Sequence, residues 1–172
     1  MAKIEIINVG NGSNQYPGDF TKEENQIILR NCKGKVLHLF SGSSEIGDLR
    51  IDFTHKNATH KWDVFEFLEY NNLQDFNTII IDAPYNKRFA DKYQKIGNTP
   101  KQFIIFADTK RTTKLFYYIN IINPEIIILK SWNYYCLKRY KIKSCYICYS
   151  GGFRKSTFLI IMKREQIILK EA

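Results

Sequence analysis

Long apolar runs are absent from this 172-residue chain. None approaches the roughly 20 residues that a membrane-spanning helix needs, so no membrane partner is expected. No signal peptide opens it either. Met1-Ala2-Lys3 runs directly into Ile4-Glu5-Ile6-Ile7, and a cytoplasmic location is the expectation. Cysteine is sparse: Cys32, Cys136, Cys145 and Cys148 contain one close pair. Cys145-Tyr146-Ile147-Cys148 has the spacing of half a zinc site, but it lies in a β-rich run, where residues three apart point to opposite faces. No second pair exists, and His38, His55 and His60 are distant in sequence. These cysteines read as buried thiols and no metal is expected. Internal repeats and low-complexity linkers are also missing. One domain spanning residues 1–172, with one hydrophobic core, is the expectation.

Acidic residues are in deficit. Lys and Arg number 26 against 17 Asp and Glu, a formal charge of +9. A basic surface displaces counterions from phosphates, so nucleic acid is the expected partner. Aromatic residues make up 15% of the chain, enough to fill a core and still line a base-stacking surface.

Asn11-Gly12-Ser13-Asn14 and Tyr16-Pro17-Gly18-Asp19 punctuate an N-terminal segment that reads as loop. Thr21, with Glu24 three residues on and Ile27, Ile28 and Leu29 following, forms a capping-box pattern that predicts a helix over about 21–32. Val36 to Phe40 reads as a core strand and Leu49 to Phe53 as an alternating one. Trp62 to Leu68 fits a strand or a helix. Thr78 to Ile81 is a continuous apolar strand, the kind buried on both faces of a parallel sheet. Leu115, Tyr118, Ile119 and Ile122 give residues 107–122 a helical period. Ile126 to Leu129 is another buried strand, and Ser144–Tyr149 and Thr157–Met162 pair as an antiparallel hairpin. The order implies an α/β domain with a mostly parallel sheet and an antiparallel C-terminal hairpin.

Ligands in such sheets sit beyond the carboxyl ends of strands. Two short segments fall there. Ser41-Gly42-Ser43 follows the first core strand, and its glycine lets backbone approach a ligand closely. Asp82-Ala83-Pro84-Tyr85 follows Thr78–Ile81. It offers a carboxylate, a backbone carbonyl, a rigid proline and an aromatic ring, a set that holds a planar exocyclic amine and stacks the ring carrying it. Asp52, with Phe53, ends the next strand and can accept from ribose hydroxyls. Asp63, with Val64, can accept from an adenine amine.

Taken together, these segments resemble the nucleic-acid amino-methyltransferases among class I S-adenosylmethionine-dependent enzymes. The resemblance runs from Tyr16 to about Met162. The family's D/N/S-P-P-Y/F/W tetrad corresponds to Asp82-Ala83-Pro84-Tyr85. Its FxGxG cofactor motif corresponds to Phe40-Ser41-Gly42-Ser43-Ser44. Tyr16-Pro17-Gly18-Asp19-Phe20 resembles the segment that closes over the cofactor's methionine end, which makes residues 1–20 the expected cofactor-closing segment. Three positions depart from the pattern: His38 replaces the usual acid of the first strand, Ser44 the second glycine, and Ala83 the commoner proline. His38 reads equally as a hydrogen-bonding imidazole at the cofactor or as a satisfied core histidine.

The resemblance implies a Rossmann-like fold with a shortened first crossover, since Ser41 to Asp48 is short for a parallel connection. The competing reading makes Ile46-Gly47-Asp48 a turn between antiparallel strands. The resemblance further implies methylation of the exocyclic amine of a base, with S-adenosylmethionine as cofactor and adenine N6 in DNA favoured by Asp82. Tyr85 then stacks on the base. Asn86, Lys87 and Arg88, together with Phe153, Arg154 and Lys155, are candidate substrate contacts. No room is seen for a separate target-recognition region, which low or short sequence specificity, a homodimer or a helper subunit would each resolve. An RNA base substrate and a catalytically silent Rossmann-like subunit that binds nucleic acid remain the alternatives.

Overall fold

The computed structural model describes residues 2–9, 19–84, 108–149 and 156–165. Among these, eight strands form one mixed sheet, ordered β1-β7-β8-β6-β5-β2-β3-β4. The strands are β1 (Lys3–Asn8), β2 (Val36–Leu39), β3 (Leu49–Asp52), β4 (His60–Lys61), β5 (Thr78–Ile81), β6 (Ile126–Ser131), β7 (Tyr140–Tyr149) and β8 (Thr157–Arg164). All neighbouring pairs are parallel except those of β8, which runs antiparallel to both β6 and β7. The mostly parallel sheet and the antiparallel C-terminal hairpin agree with the sequence.

Three helices flank the sheet: α1 (Lys22–Asn31), α2 (Val64–Tyr70) and α3 (Thr109–Ile122). The capping box starts α1 as expected. Thr21 Oγ1 accepts from Glu24 N at 3.3 Å, and Glu24 Oε2 accepts from Thr21 N at 2.8 Å. Asp63 starts α2, which resolves the ambiguous stretch after Trp62 as helix. Its Oδ1 accepts from Phe65 N at 2.9 Å and Glu66 N at 3.1 Å. Asp108 caps α3 in the same way.

β2 and β5 are buried along their whole length, as both-face burial of a parallel sheet demands. Their alternating side chains feed two core clusters. Leu37, Leu39, Ile79, Ile81, Ile127 and Leu129 pack with Phe67 of α2 and Leu115 and Ile119 of α3. Val36, Ile80, Ile126 and Ile128 pack with Ile27 and Ile28 of α1. Cys145 joins the first cluster and Cys148 the second, so their thiols lie on opposite faces of β7.

Residues 40–48 link β2 to β3 without a helix, yet the register Leu37↔Leu49, His38↔Arg50, Leu39↔Ile51 is parallel. This overturns the antiparallel-turn reading of Ile46–Asp48. The short link closes because its backbone takes left-handed turns at Phe40 (φ 60°), Gly42 (φ 50°) and Gly47 (φ 118°). Asp48 then ties both ends of the loop: its N donates to Val36 O at 3.0 Å and its Oδ2 accepts from Val36 N at 2.7 Å. Two elements have no counterpart in the sequence reading: the two-residue β4, and β1, which lies within the N-terminal segment 1–20 and pairs in parallel with β7. No described helix is long and apolar enough to cross a membrane.

Candidate functional site

From β2 the chain winds one way to β3 and β4, and from β5 the other way to β6. Where winding reverses, the loops leaving two adjacent strands diverge and a crevice opens at their carboxyl ends. Here the two strands are β2 and β5, and their continuations are Phe40–Ser44 and Asp82–Pro84. The backbones touch at this point, with Asp82 N donating to Leu39 O at 3.4 Å. The sequence-derived glycine turn and aspartate tetrad therefore meet at one place.

The glycine turn is held from below. Asp52, at the end of β3, accepts from Gly42 N at 3.0 Å through Oδ2, and from Thr54 N at 3.0 Å and His55 N at 2.9 Å through Oδ1. A carboxylate with three backbone donors is firmly placed. Its direct work is to fix the loop that presents Ser41 to Ser43.

His38 is fully buried, its ring stacked on Phe20 at 5.7 Å between centroids. Burial is the main cause that lowers its pKa to about 4, so the imidazole is neutral. Nδ1 lies 2.9 Å from Ile46 O, an acceptor only, which puts the proton on Nδ1 and leaves a lone pair on Nε2. That Nε2 is buried without a hydrogen-bond partner, and so is the hydroxyl of Ser41. Two orphaned polar atoms on one strand end are costly unless something pairs with them.

A cleft of about 350 Å³ is lined by Asp19, Phe20, Asn25, Leu29, Ser43, Ser44, Glu45 and Ile46; His38 and Ser41 are buried and do not line it. Its size falls within the roughly 300–1,000 Å³ of small-molecule sites. Phe20, stacked on His38, and Ile46, whose carbonyl meets His38 Nδ1, form part of its wall. Asp19 is half-buried. Burial raises its pKa, opposed by hydrogen bonds from Ser43.

Sequence reasoning missed the charged centre behind this wall. Ile81 pairs with Leu129, so the next residues in register are Asp82 and Lys130. Lys130 is 5% exposed, and its Nζ lies 3.1 Å from Glu24 Oε2, 3.4 Å from Asp19 O and 4.9 Å from the Phe20 ring centroid. Burial works against its charge, but the carboxylates of Asp82 and Glu24 outweigh it and the lysine pKa is raised. The ammonium thus stays charged inside the fold, shared between the tetrad aspartate and the capping-box glutamate. The available signal was a lysine directly after the fully apolar run Ile126–Leu129.

Asp63 lines a separate hollow of about 250 Å³ between α2 and α3, with Phe65, Glu66, Glu69, Arg111 and Lys114. Val64 is buried in the core, and Phe53 is exposed. Ala83 and Pro84 are buried. Tyr16 and Pro17, Tyr85 to Arg88, and Phe153 to Lys155 lie outside the described residues. Among the described residues, no group of three or more His, Cys, Asp or Glu is arranged to hold a metal.

Comparison of the chain with protein-family models, curated proteins and solved structures finds no match.

Proposed function

We propose that this chain is an S-adenosylmethionine-dependent methyltransferase with a Rossmann-like fold, acting on the exocyclic amine of a nucleic-acid base, adenine N6 in DNA. The observation that carries this reading is the meeting of Ser41–Gly42 and Asp82 at the sheet's switch point, with Asp82 N on Leu39 O. A ligand in the β2 loop and an amine at Asp82 would then share one crevice.

The residues present fit the cofactor. Neutral His38 carries an unpartnered Nε2 acceptor, buried behind Phe20, of the kind that pairs with an ammonium such as that of the methionine end. The glycine turn, braced by Asp52, admits close backbone contact. The carboxylates of Asp82 and Glu24 hold the buried Lys130 ammonium against the cost of burial, so the region beside Asp82 already accommodates a cation. When bound, the cofactor supplies an electrophilic methyl group on a sulfonium.

The chain's own part is positioning. The exocyclic amine of a base is a poor nucleophile because its lone pair is delocalised into the ring. Asp82 Oδ and the Ala83 carbonyl accept its two N–H bonds and favour a pyramidal nitrogen whose lone pair faces the methyl group. Acceptors fixed before reaction need no reorganisation during it. Pro84 restricts the turn so that both aim at one point.

The test is calorimetric titration with S-adenosylmethionine, followed by labelled methyl transfer to DNA and to RNA. Binding by the native chain, transfer to adenine in DNA, and loss of transfer with retained binding in Asp82→Ala are expected. A native chain that does not bind the cofactor would sink the proposal. That outcome is what a catalytically silent nucleic-acid-binding subunit predicts. The engagement of both Asp52 oxygens by backbone N–H groups favours that second reading.

A further inference from the structure

β1 is a terminal strand of the sheet. It pairs with β7 on one side, and among the described residues no strand pairs with the other. Edge strands are normally protected by proline, a bulge, an unmatched charge or a covering segment. β1 reads Lys3-Ile4-Glu5-Ile6-Ile7-Asn8, with no proline and an unbroken register against β7. Its two charges lie on one face and neutralise each other, Lys3 Nζ being 2.7 Å from Glu5 Oε1. On the opposite face, Ile4 is 68% and Ile6 77% exposed. Two isoleucines at that exposure, side by side on an open edge, mark a surface that awaits a partner.

We propose that this edge pairs antiparallel with β1 of a second copy of the chain, centred on Ile4, to give one continuous sheet across a two-fold axis. The backbone limits the register. Val9 N donates to Tyr149 O, so the odd-numbered residues direct their amide and carbonyl toward β7. Peptide groups alternate along a strand, and those of Ile4 and Ile6 therefore face the open edge. A symmetric antiparallel pair must then match even residues with even ones.

Three centres, Ile4, Glu5 and Ile6, pair both exposed isoleucines with described residues. Centring on Glu5 sets its carboxylate directly against its own copy, which is repulsive. Centring on Ile6 sets Glu5 against Ile7 and Lys3 against Val9, and no charge is matched. Centring on Ile4 sets Lys3 of each chain against Glu5 of the other. Lys3 and Glu5 then fall at non-hydrogen-bonded positions, where opposing Cα atoms approach to about 4.5 Å and side chains interact most closely. Ile4 meets Ile4 in the hydrogen-bonded pair, and Ile6 extends the apolar strip on either side. The sequence of β1 is thus self-complementary in charge and in apolar contact in this one register. A two-fold axis is also the commonest closure for identical chains.

The experiment is sedimentation of the full chain over a dilution series, with the melting curve of each variant as a folding control. The native chain is expected to dimerise. Ile4→Lys puts like charges directly opposite and is expected to abolish the dimer. Lys3→Glu alone and Glu5→Lys alone should each weaken self-association at least about tenfold. An equimolar mixture of the Lys3→Glu chain with the Glu5→Lys chain should restore it as a heterodimer, because both cross-strand pairs are again of opposite sign. Within each strand the like charges persist, so recovery in the mixture reports the inter-chain pairing. A native chain that stays monomeric at every concentration overturns the proposal. So does a dimer that survives Ile4→Lys, which belongs to another face, or a mixture that fails to recover, which has another register. Three strands separate β1 from β5, and these variants leave the surroundings of Asp82 untouched.

Discussion

Lys130 Nζ lies 3.1 Å from Glu24 Oε2, joining the end of the buried strand β6 to the first turn of α1. The same glutamate oxygen closes the capping box on Thr21 N. One carboxylate therefore starts a helix and holds a buried cation beside the tetrad aspartate.

Removing that cation strands two carboxylates in a low-dielectric region. Lys130→Met is expected to destabilise the protein by about 3–5 kcal/mol in urea titration, because the loss of one partner leaves the others uncompensated. Glu24→Gln keeps an acceptor for Thr21 N but removes the charge. Combined with Lys130→Met it should recover a substantial part of the loss, measured as coupling in a double-mutant cycle.

Asp52→Asn changes little in size but replaces one accepting oxygen with an NH₂ group that cannot accept from backbone N–H groups. Hydrogen bonds to a charged group are worth roughly 1.5–3 kcal/mol each. The variant should lose about 2 kcal/mol of stability because the Gly42 turn is released, and on the proposed function it should bind S-adenosylmethionine more weakly. Unaltered cofactor affinity in a destabilised Asp52→Asn protein would separate the turn from the site.

His38 sets an acid limit. Its pKa is near 6.5 when unfolded and about 4 in the fold. Between those values the unfolded chain takes up a proton that the native protein refuses, so stability falls as pH drops from about 6.5 to about 4. The full effect is about 3 kcal/mol. Denaturant midpoints measured across that range should decline with falling pH, and His38→Gln should flatten this part of the profile.

Gly47 passes directly over His38 at φ 118°, and a methyl group built there would lie 3.1 Å from His38 Cβ. Gly47→Ala adds conformational strain to that contact and should cost at least about 1 kcal/mol by thermal denaturation. An unchanged melting temperature would mean that the β2–β3 link relaxes freely.

The elements that the sequence disclosed were those whose signal is local. The capping box at Thr21 and Glu24 and the both-face burial of Thr78–Ile81 each leave a short pattern that the fold keeps. β4 did not, because two residues are too few to show any period. β1 did not, because Ile4 and Ile6 are apolar residues turned to solvent, opposite to what alternation implies for a lone domain. Trp62–Leu68 stayed ambiguous until Asp63 was seen to cap α2. At the site, Asp82 and the glycine turn were visible as residues at strand ends, but Lys130 was not. A lysine following an apolar strand usually surfaces, and only the pairing of β5 with β6 brings it beside Asp82.

β8 is the last strand of the described chain, yet it sits between β6 and β7. Until Thr157–Arg164 has been synthesised, β7 and the β1 strand attached to it have nothing to join. The ribosome must therefore release most of this chain before the sheet can be stitched into one piece, and the nascent protein exposes unsatisfied strand edges until then.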